Sequence, residues 1–246
     1  MMQMTETVKQ LLIINIILFF GSMVVPAANE YLAISYFENP SFKLWQPITY
    51  MFMHGSLGHI FFNMFSLYAF GSTLEHFWGA KKFLFFYLSC GLGSIFFQMG
   101  INYFEFHSAL DILVSAGYDK GDVFNTLYTG QYNTAWEQIL GVENFESFMR
   151  TYTVKTVGAS GAIYGLLAAF AFMFPNAELA LMFIPIPIKA KIFVPILILI
   201  DLFSGVTGKS FMGDNIAHFA HVGGALVGIV IVLFWKKNQF NKNRWD

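Results

Sequence analysis

Apolar residues run along this chain in long blocks and do not alternate with polar ones. A hydrocarbon core about 30 Å thick takes about 20 apolar residues per helix. On that measure the pattern predicts six transmembrane helices, over 10–28, 57–74, 83–100, 158–174, 192–206 and 217–235. The first block could pass for a leader peptide. Only Lys9 against Glu6 precedes it, no clear A-x-A site follows, and five more spans do, so it is read as a helix. Two connecting stretches stand out. Residues 30–56 carry Pro40, Pro47 and the interface-type aromatic Trp45. Residues 101–157 hold ten charges and no span. In the second, Thr134-Ala-Trp-Glu137 reads as a capping box opening a short helix that Gly141 ends, and Phe145, Phe148 and Met149 form an apolar stripe on the next. Short amphipathic helices lying on the outer face are expected there, a mobile outer loop being the alternative.

Composition agrees. Of the 246 residues 56% are hydrophobic before the 21 glycines are added, roughly 64% with them, and 12% are charged, against about 45–50% (glycine included) and 25% in soluble domains. That excludes an ordinary soluble domain and a disordered chain. A net charge of −1 with no basic run excludes a nucleic-acid binder. The single cysteine, Cys90, can form no internal disulfide. Six spans put both termini on one side. With termini inside, the inner segments hold nine of the 14 basic residues (Lys9, Lys81, Lys82, Lys189, Lys191, Lys236, Lys237, Lys242 and Arg244), so the positive-inside rule predicts cytoplasmic termini.

Strongly polar residues inside a span are costly, which marks four places as candidate sites. Gly158-Ala-Ser-Gly-Ala-Ile-Tyr-Gly165 opens the fourth span. Gly161 and Gly165 form a G-x-x-x-G packing face, and Ser160 is either part of that face or a nucleophile. In the sixth span His221, Gly224 and Gly228 fall at i, i+3 and i+7, so the histidine shares a stripe with a second glycine seam. A serine and a histidine about one turn inside the same outer surface are the nucleophile and base that acyl transfer needs. A histidine satisfied by backbone, or a metal bound by His218 with His221, is the competing reading. Metal is disfavoured because no carboxylate is seen at that depth and there is no H-E-x-x-H. His59 and Asn63, an i,i+4 pair in the second span, are either helix-packing glue or converging donors for an oxyanion. Asp201, in the fifth span, has no evident basic partner and no assigned role.

Taken together these motifs resemble the rhomboid family of intramembrane serine proteases, over the six-span region from Leu11 to Trp235. Gly158-Ala-Ser160-Gly161 resembles the family's G-x-S-G, which implies Ser160 as nucleophile. Ala220-His221-x-x-Gly224-x-x-x-Gly228 resembles its A-H-x-x-G-x-x-x-G, which implies His221 as general base. His59-x-x-x-Asn63 resembles the H-x-x-x-N that lines its oxyanion hole, Tyr164 the aromatic stacked on the histidine, and Glu75 a glutamate bracing the end of the second span. Pro175-Asn176 and Ile184-Pro-Ile-Pro187 resemble the family's inner loop. The chain departs at Trp45-Gln46, where many relatives carry Trp-Arg, and in the longer outer loop between spans three and four.

The resemblance implies an all-α membrane protein, one rhomboid-like domain over 1–246. Its parts are a cytoplasmic N-terminus (1–9), six transmembrane helices, an outer loop insertion (101–157) between helices three and four, and a cytoplasmic tail (236–246). The activity implied is cleavage of transmembrane protein substrates within the lipid bilayer of the cell membrane by a Ser160–His221 dyad opening to the outer side. No cofactor, metal or nucleic acid is expected. No aspartate is placed to orient His221, which leaves that work to Tyr164, and His218 reads as a solvent-facing or supporting group a turn further out. A non-catalytic rhomboid-like protein that binds membrane clients is the alternative. A six-helix transporter would want inverted repeats and pore-lining charge, and neither is visible.

Overall fold

The computed structural model describes residues 3–181, 184–209 and 216–238. The Lys242 and Arg244 end of the expected tail, and 210–215 before the sixth span, lie outside them. All six apolar blocks are helical. Helix α1 is Glu6–Val24, and the first connecting stretch holds α2 (Ala27–Leu32), α3 (Gln46–Thr49) and a 3-10 turn (Tyr50–Phe52). The second block is α4 (Leu57–Ser66), a π-helical stretch (Leu67–Gly71) and α5 (Ser72–Trp78). Then come α6 (Ala80–Ser115), α7 (Lys120–Tyr128), α8 (Thr134–Leu140), α9 (Val142–Thr153), α10 (Ser160–Met173), α11 (Ala190–Thr207) and α12 (His218–Asn238). Helices α1, α6, α11 and α12 are each long and apolar enough to cross a membrane. Their outward faces carry large apolar side chains such as Ile17, Phe20, Phe96, Leu199, Phe203 and Val230, each more than 50% exposed. Exposed surface of that kind suits lipid.

Helix α10 is the centre of the bundle, with every residue from Gly161 to Phe170 buried. It packs between α6 and α12 through small residues. A Cβ on Gly165 would sit 2.5 Å from Cys90 Sγ and 3.1 Å from the Gly224 carbonyl, and one on Gly228 would sit 2.8 Å from the Gly165 carbonyl. Backbones this close give the dispersion contact and polar compensation that replace a hydrophobic drive inside lipid. At the other end Glu75 accepts from Thr5 Oγ1 (2.5 Å) and from the backbone N–H groups of Thr7 (3.1 Å) and Val8 (3.0 Å). It thereby satisfies first-turn donors of α1 that the helix itself leaves open.

Three expectations for the connecting regions are corrected. Helix α6 does not end near residue 100 but runs on to Ser115. Its 36 residues span about 54 Å at 1.5 Å per residue, far more than a bilayer core. Hydropathy falls after Gly100, yet Phe106, Ala109, Leu110 and Leu113 keep the helical spacing and are buried. They form a second core with Tyr36, Trp136 and Phe148, so the apolar stripe of α9 faces protein and not headgroups. The Phe148 ring stacks on Phe106 with centroids 4.6 Å apart. Helix α8 is capped by Asn133, whose Oδ1 accepts from the Ala135 N–H at 2.9 Å, and not by Thr134, which is its first residue; Gly141, at φ 76°, ends it as expected. The loop between α10 and α11, for which the sequence predicts no element, is an antiparallel ribbon, β1 (Glu178–Leu181) with β2 (Ile184–Lys189), pairing Glu178 with Lys189 and Leu181 with Ile184.

The first connecting stretch is ordered by the residue that departs from the Trp-Arg pattern. Gln46 is fully buried; its Oε1 accepts from the N–H groups of Ser35 (3.2 Å) and Lys43 (3.1 Å), and its Nε2 donates to the Ser41 carbonyl (3.1 Å). Ile34 and Thr156 exchange two backbone hydrogen bonds, and the Gly158 N–H donates to the Tyr50 carbonyl at 2.9 Å. These bonds tie the segment that enters α10 to the first connecting stretch and so set where α10 begins.

Candidate active site

Ser160 is the first residue of α10, preceded by Gly158 at φ 124°. That backbone is open only to glycine, and space forbids a side chain too, since a Cβ there would lie 2.7 Å from His59 Nε2 and 3.7 Å from Ser160 Oγ. The His59 ring therefore leans over the turn that presents the serine. Helix α4, which carries His59, is capped by Ser56, whose Oγ accepts from the His59 N–H at 3.1 Å. Asn63 lies one turn further along, buried, and its Nδ2 has no hydrogen-bond partner among the described residues. As the first residue of a helix, Ser160 leaves its own N–H without an intrahelical acceptor, at the positive end of the helix dipole.

Opposite, α12 brings His221 to the serine. Its Nε2 lies 2.8 Å from Ser160 Oγ, and its ring stacks on Tyr164 with centroids 4.2 Å apart and planes 11° from parallel. The glycine seam sets this spacing: Gly161 follows the serine, Gly224 is one turn from the histidine, and the two backbones are in contact. Gln98, on α6, holds the start of α12. Its Oε1 accepts from the Ala220 N–H at 3.0 Å, while its Nε2 donates to Asn102 at 2.7 Å. Nothing in the motif reading marked Gln98; the signal was an amide inside an otherwise apolar block.

One expectation is overturned here. A carboxylate is placed on His221 after all. Asp201, on α11 and 2% exposed, has Oδ1 3.0 Å from His221 Nδ1 and 2.6 Å from His218 Nδ1, and its Oδ2 accepts from the Tyr164 hydroxyl. His218 is accordingly buried and not solvent-facing. Spacing along the chain could not show this, because α11 and α12 meet only in the folded bundle. The same finding removes the argument against metal that rested on a missing carboxylate. Asp201, His218 and His221 offer ligand atoms within 4.8 Å of one another. Their separations of 2.6 and 3.0 Å are those of shared protons, whereas ligands on a tetrahedral zinc at about 2.0–2.1 Å would stand roughly 3.3 Å apart. As it stands the cluster is a hydrogen-bond network.

Fold and site together define a helical membrane protein with a polar serine–histidine–carboxylate cluster built where its glycine-packed helices meet. The family model described as the Rhomboid domain matches residues 41–117 and 129–238, and the chain belongs to the rhomboid family. Among its relatives, an uncharacterized mitochondrial rhomboid protein of Schizosaccharomyces pombe is 29% identical over 214 residues, 80% of this chain and 53% of that one. The mitochondrial presenilin-associated rhomboid-like protein of Homo sapiens is 27% identical over 223 residues, 87% of this chain and 46% of the relative. The mitochondrial rhomboid protein 1 of Saccharomyces cerevisiae is 23% identical over 179 residues, 73% and 38% of the two chains. The chain thus spans about half the length of the curated relatives it matches.

Proposed function

We propose that this rhomboid is an intramembrane serine endopeptidase that cleaves transmembrane segments of protein substrates through an acyl-enzyme. The observation that carries the proposal is the 2.8 Å contact between Ser160 Oγ and His221 Nε2, from two helices locked by glycines. Ser160 Oγ attacks the scissile carbonyl as its proton passes to His221 Nε2. The tetrahedral intermediate collapses, the C–N bond breaks, and the leaving amine takes that proton. Water, deprotonated by the same nitrogen, then releases the acyl group and restores the serine. The oxyanion is held by the Ser160 N–H, the His59 ring and the Asn63 amide, whose Nδ2 has no partner among the described residues, which supports that role. Each such donor is worth about 2.7–4 kcal/mol in the transition state.

Hydrolysis in a membrane needs water at the serine. Helix α10 has 14 residues, about 21 Å of rise against a core of about 30 Å, so its first residue lies below the membrane surface. Ser160 and His221 are both only partly buried, which supports access from the outer side. The charge count puts both termini on the Lys/Arg-rich side, the cytoplasm for a cell membrane. By likeness to relatives with mitochondrial names, a mitochondrial membrane is the alternative, its matrix then being that side.

The test is cleavage of a model transmembrane substrate by the purified protein in detergent. Ser160→Ala and His221→Ala each abolish it, and a fluorophosphonate probe labels the wild type but not Ser160→Ala. Cleavage retained in either variant overturns the mechanism. An unlabelled, inactive wild type supports a client-binding protein instead.

A further inference from the structure

A buried carboxylate in a membrane bundle needs compensation, and Asp201 receives it from groups that are themselves part of the candidate site. An ionised carboxylate only accepts hydrogen bonds. The protons in this cluster are therefore on its neighbours: on His221 Nδ1 at 3.0 Å, on His218 Nδ1 at 2.6 Å, and on the Tyr164 hydroxyl. With its proton on Nδ1, His221 turns an unprotonated Nε2 to Ser160 Oγ 2.8 Å away. That is the tautomer which can take the serine proton. Tyr164 does two things at once, stacking its ring on His221 and giving its hydroxyl to the carboxylate that faces the same imidazole. His218 has its Nε2 buried with no partner among the described residues, and its Nδ1 faces Asp201.

We infer that Asp201 is a positioning residue for the Ser160–His221 pair, fixing the tautomer and ring orientation of His221, and that His218 and the Tyr164 hydroxyl hold Asp201 in place. The inference rests on the hydrolytic reading proposed above and extends it from a dyad to a serine–histidine–aspartate relay whose carboxylate comes from α11. During attack Ser160 gives its proton to His221 Nε2, the imidazole becomes a cation, and Asp201 stabilises that cation without taking the proton itself. In this arrangement α11 carries a determinant of turnover, so its position relative to α12 sets activity as well as packing.

The experiment compares full-length wild type, Ser160→Ala, Asp201→Asn, His218→Gln and Tyr164→Phe in detergent. It measures kcat and KM on a transmembrane substrate, melting temperature, and the histidine tautomers by nitrogen NMR of 15N-histidine protein, with His221 assigned from His221→Ala. Asp201→Asn keeps the shape but can present an N–H to Nδ1. It is expected to lower kcat by about 10²–10⁴-fold with KM changed less than threefold, and to move the His221 proton from Nδ1 toward Nε2. His218→Gln and Tyr164→Phe each loosen the carboxylate and lower kcat about 5- to 50-fold at unchanged KM; they carry the test if Asp201→Asn does not fold. Asp201→Asn turning over within threefold of wild type overturns the inference. So does a loss of kcat that tracks only the unfolded fraction, with the His221 tautomer unchanged in the folded remainder. If the other variants fold and both keep wild-type kcat, the holding role falls. Cleavage by Ser160→Ala overturns the hydrolytic reading instead, and so separates the two failures.

Discussion

Gly224→Ala is the sharpest test of how the bundle makes the site. The added Cβ would fall inside contact distance of the Gly161 carbonyl oxygen, 2.7 Å from its carbon and 3.2 Å from the Gly161 Cα. Ordinary contact begins at 3.4 Å, and backbone cannot rotate out of the way as a side-chain tip can. The oxygen lies closer still, so helices α10 and α12 must part by well over the roughly 0.7 Å that the carbon alone requires, since close-packed interiors have no slack to absorb it. Gly161 is next to Ser160, and Gly224 is one helical turn from His221. The same displacement therefore stretches the 2.8 Å contact between Ser160 and His221 past roughly 3.5 Å, too long for a useful hydrogen bond. Misplacement on that scale costs about 10²-fold in rate, and the strain costs about 1–3 kcal/mol of stability. The assay is kcat on a transmembrane substrate beside a thermal melt in detergent. Gly100→Ala serves as the control, since a Cβ there meets nothing within 4 Å in the middle of α6. Alanine at that position is expected to leave activity alone and to favour the helix by up to about 1 kcal/mol. If Gly224→Ala keeps wild-type kcat and melts with the wild type, the glycine seam does not set the serine–histidine distance and the argument fails.

Three further outcomes are expected. Asn63→Ala should lower kcat about 10²–10³-fold with KM little changed, because a donor aimed at an oxyanion acts in the transition state; a raised KM at normal kcat would make it a binding or packing residue. Glu75→Gln should cost about 1.5–3 kcal/mol by weakening charge-assisted bonds to the first turn of α1. Amide exchange at Thr7 and Val8 would report the loss, and unchanged exchange there would refute it. His54, in the turn before α4, is held at a pKa of about 3 by burial and the neighbouring His59, below its ordinary 6.5. The unfolded chain takes up that proton as pH falls below 6.5 while the folded one does not. Stability is therefore full above 6.5 and drops by about 1.4 kcal/mol per pH unit toward 3. Melts at pH 7, 6 and 5 should slope less in His54→Phe, and equal slopes would exclude His54 as the cause.

Much of this protein is legible in one dimension because lipid is a simple solvent. Long apolar blocks have few places to go but across a bilayer, and all six are helices. A polar residue inside such a block is conspicuous, which is why Ser160, His221, His59 and Asn63 stand out in the sequence. Periodicity along a single helix also predicted the seam, since Gly161 and Gly165, or Gly224 and Gly228, share a face whatever they pack against.

Relations between helices were not legible in that way. Hydropathy stopped at Gly100 because it measures lipid, while α6 continued to Ser115 because Phe106, Leu110 and Leu113 found a protein core outside it. Gln98 is an unremarkable amide in the sequence and Gln46 only a departure from Trp-Arg, because the start of α12 and the chain around Ser35 and Lys43 depend on them only in the folded bundle. Asp201 had no partner in sequence because its partners lie 17, 20 and 37 residues away on other helices. The sequence by itself determined which residues could do chemistry in a membrane, since a lone side chain's polarity and its helical face are local properties. Only the tertiary structure decided that Asp201, His218 and Tyr164 gather on His221, because a hydrogen bond depends on distances between helices, and those are set by how the glycines let the backbones meet.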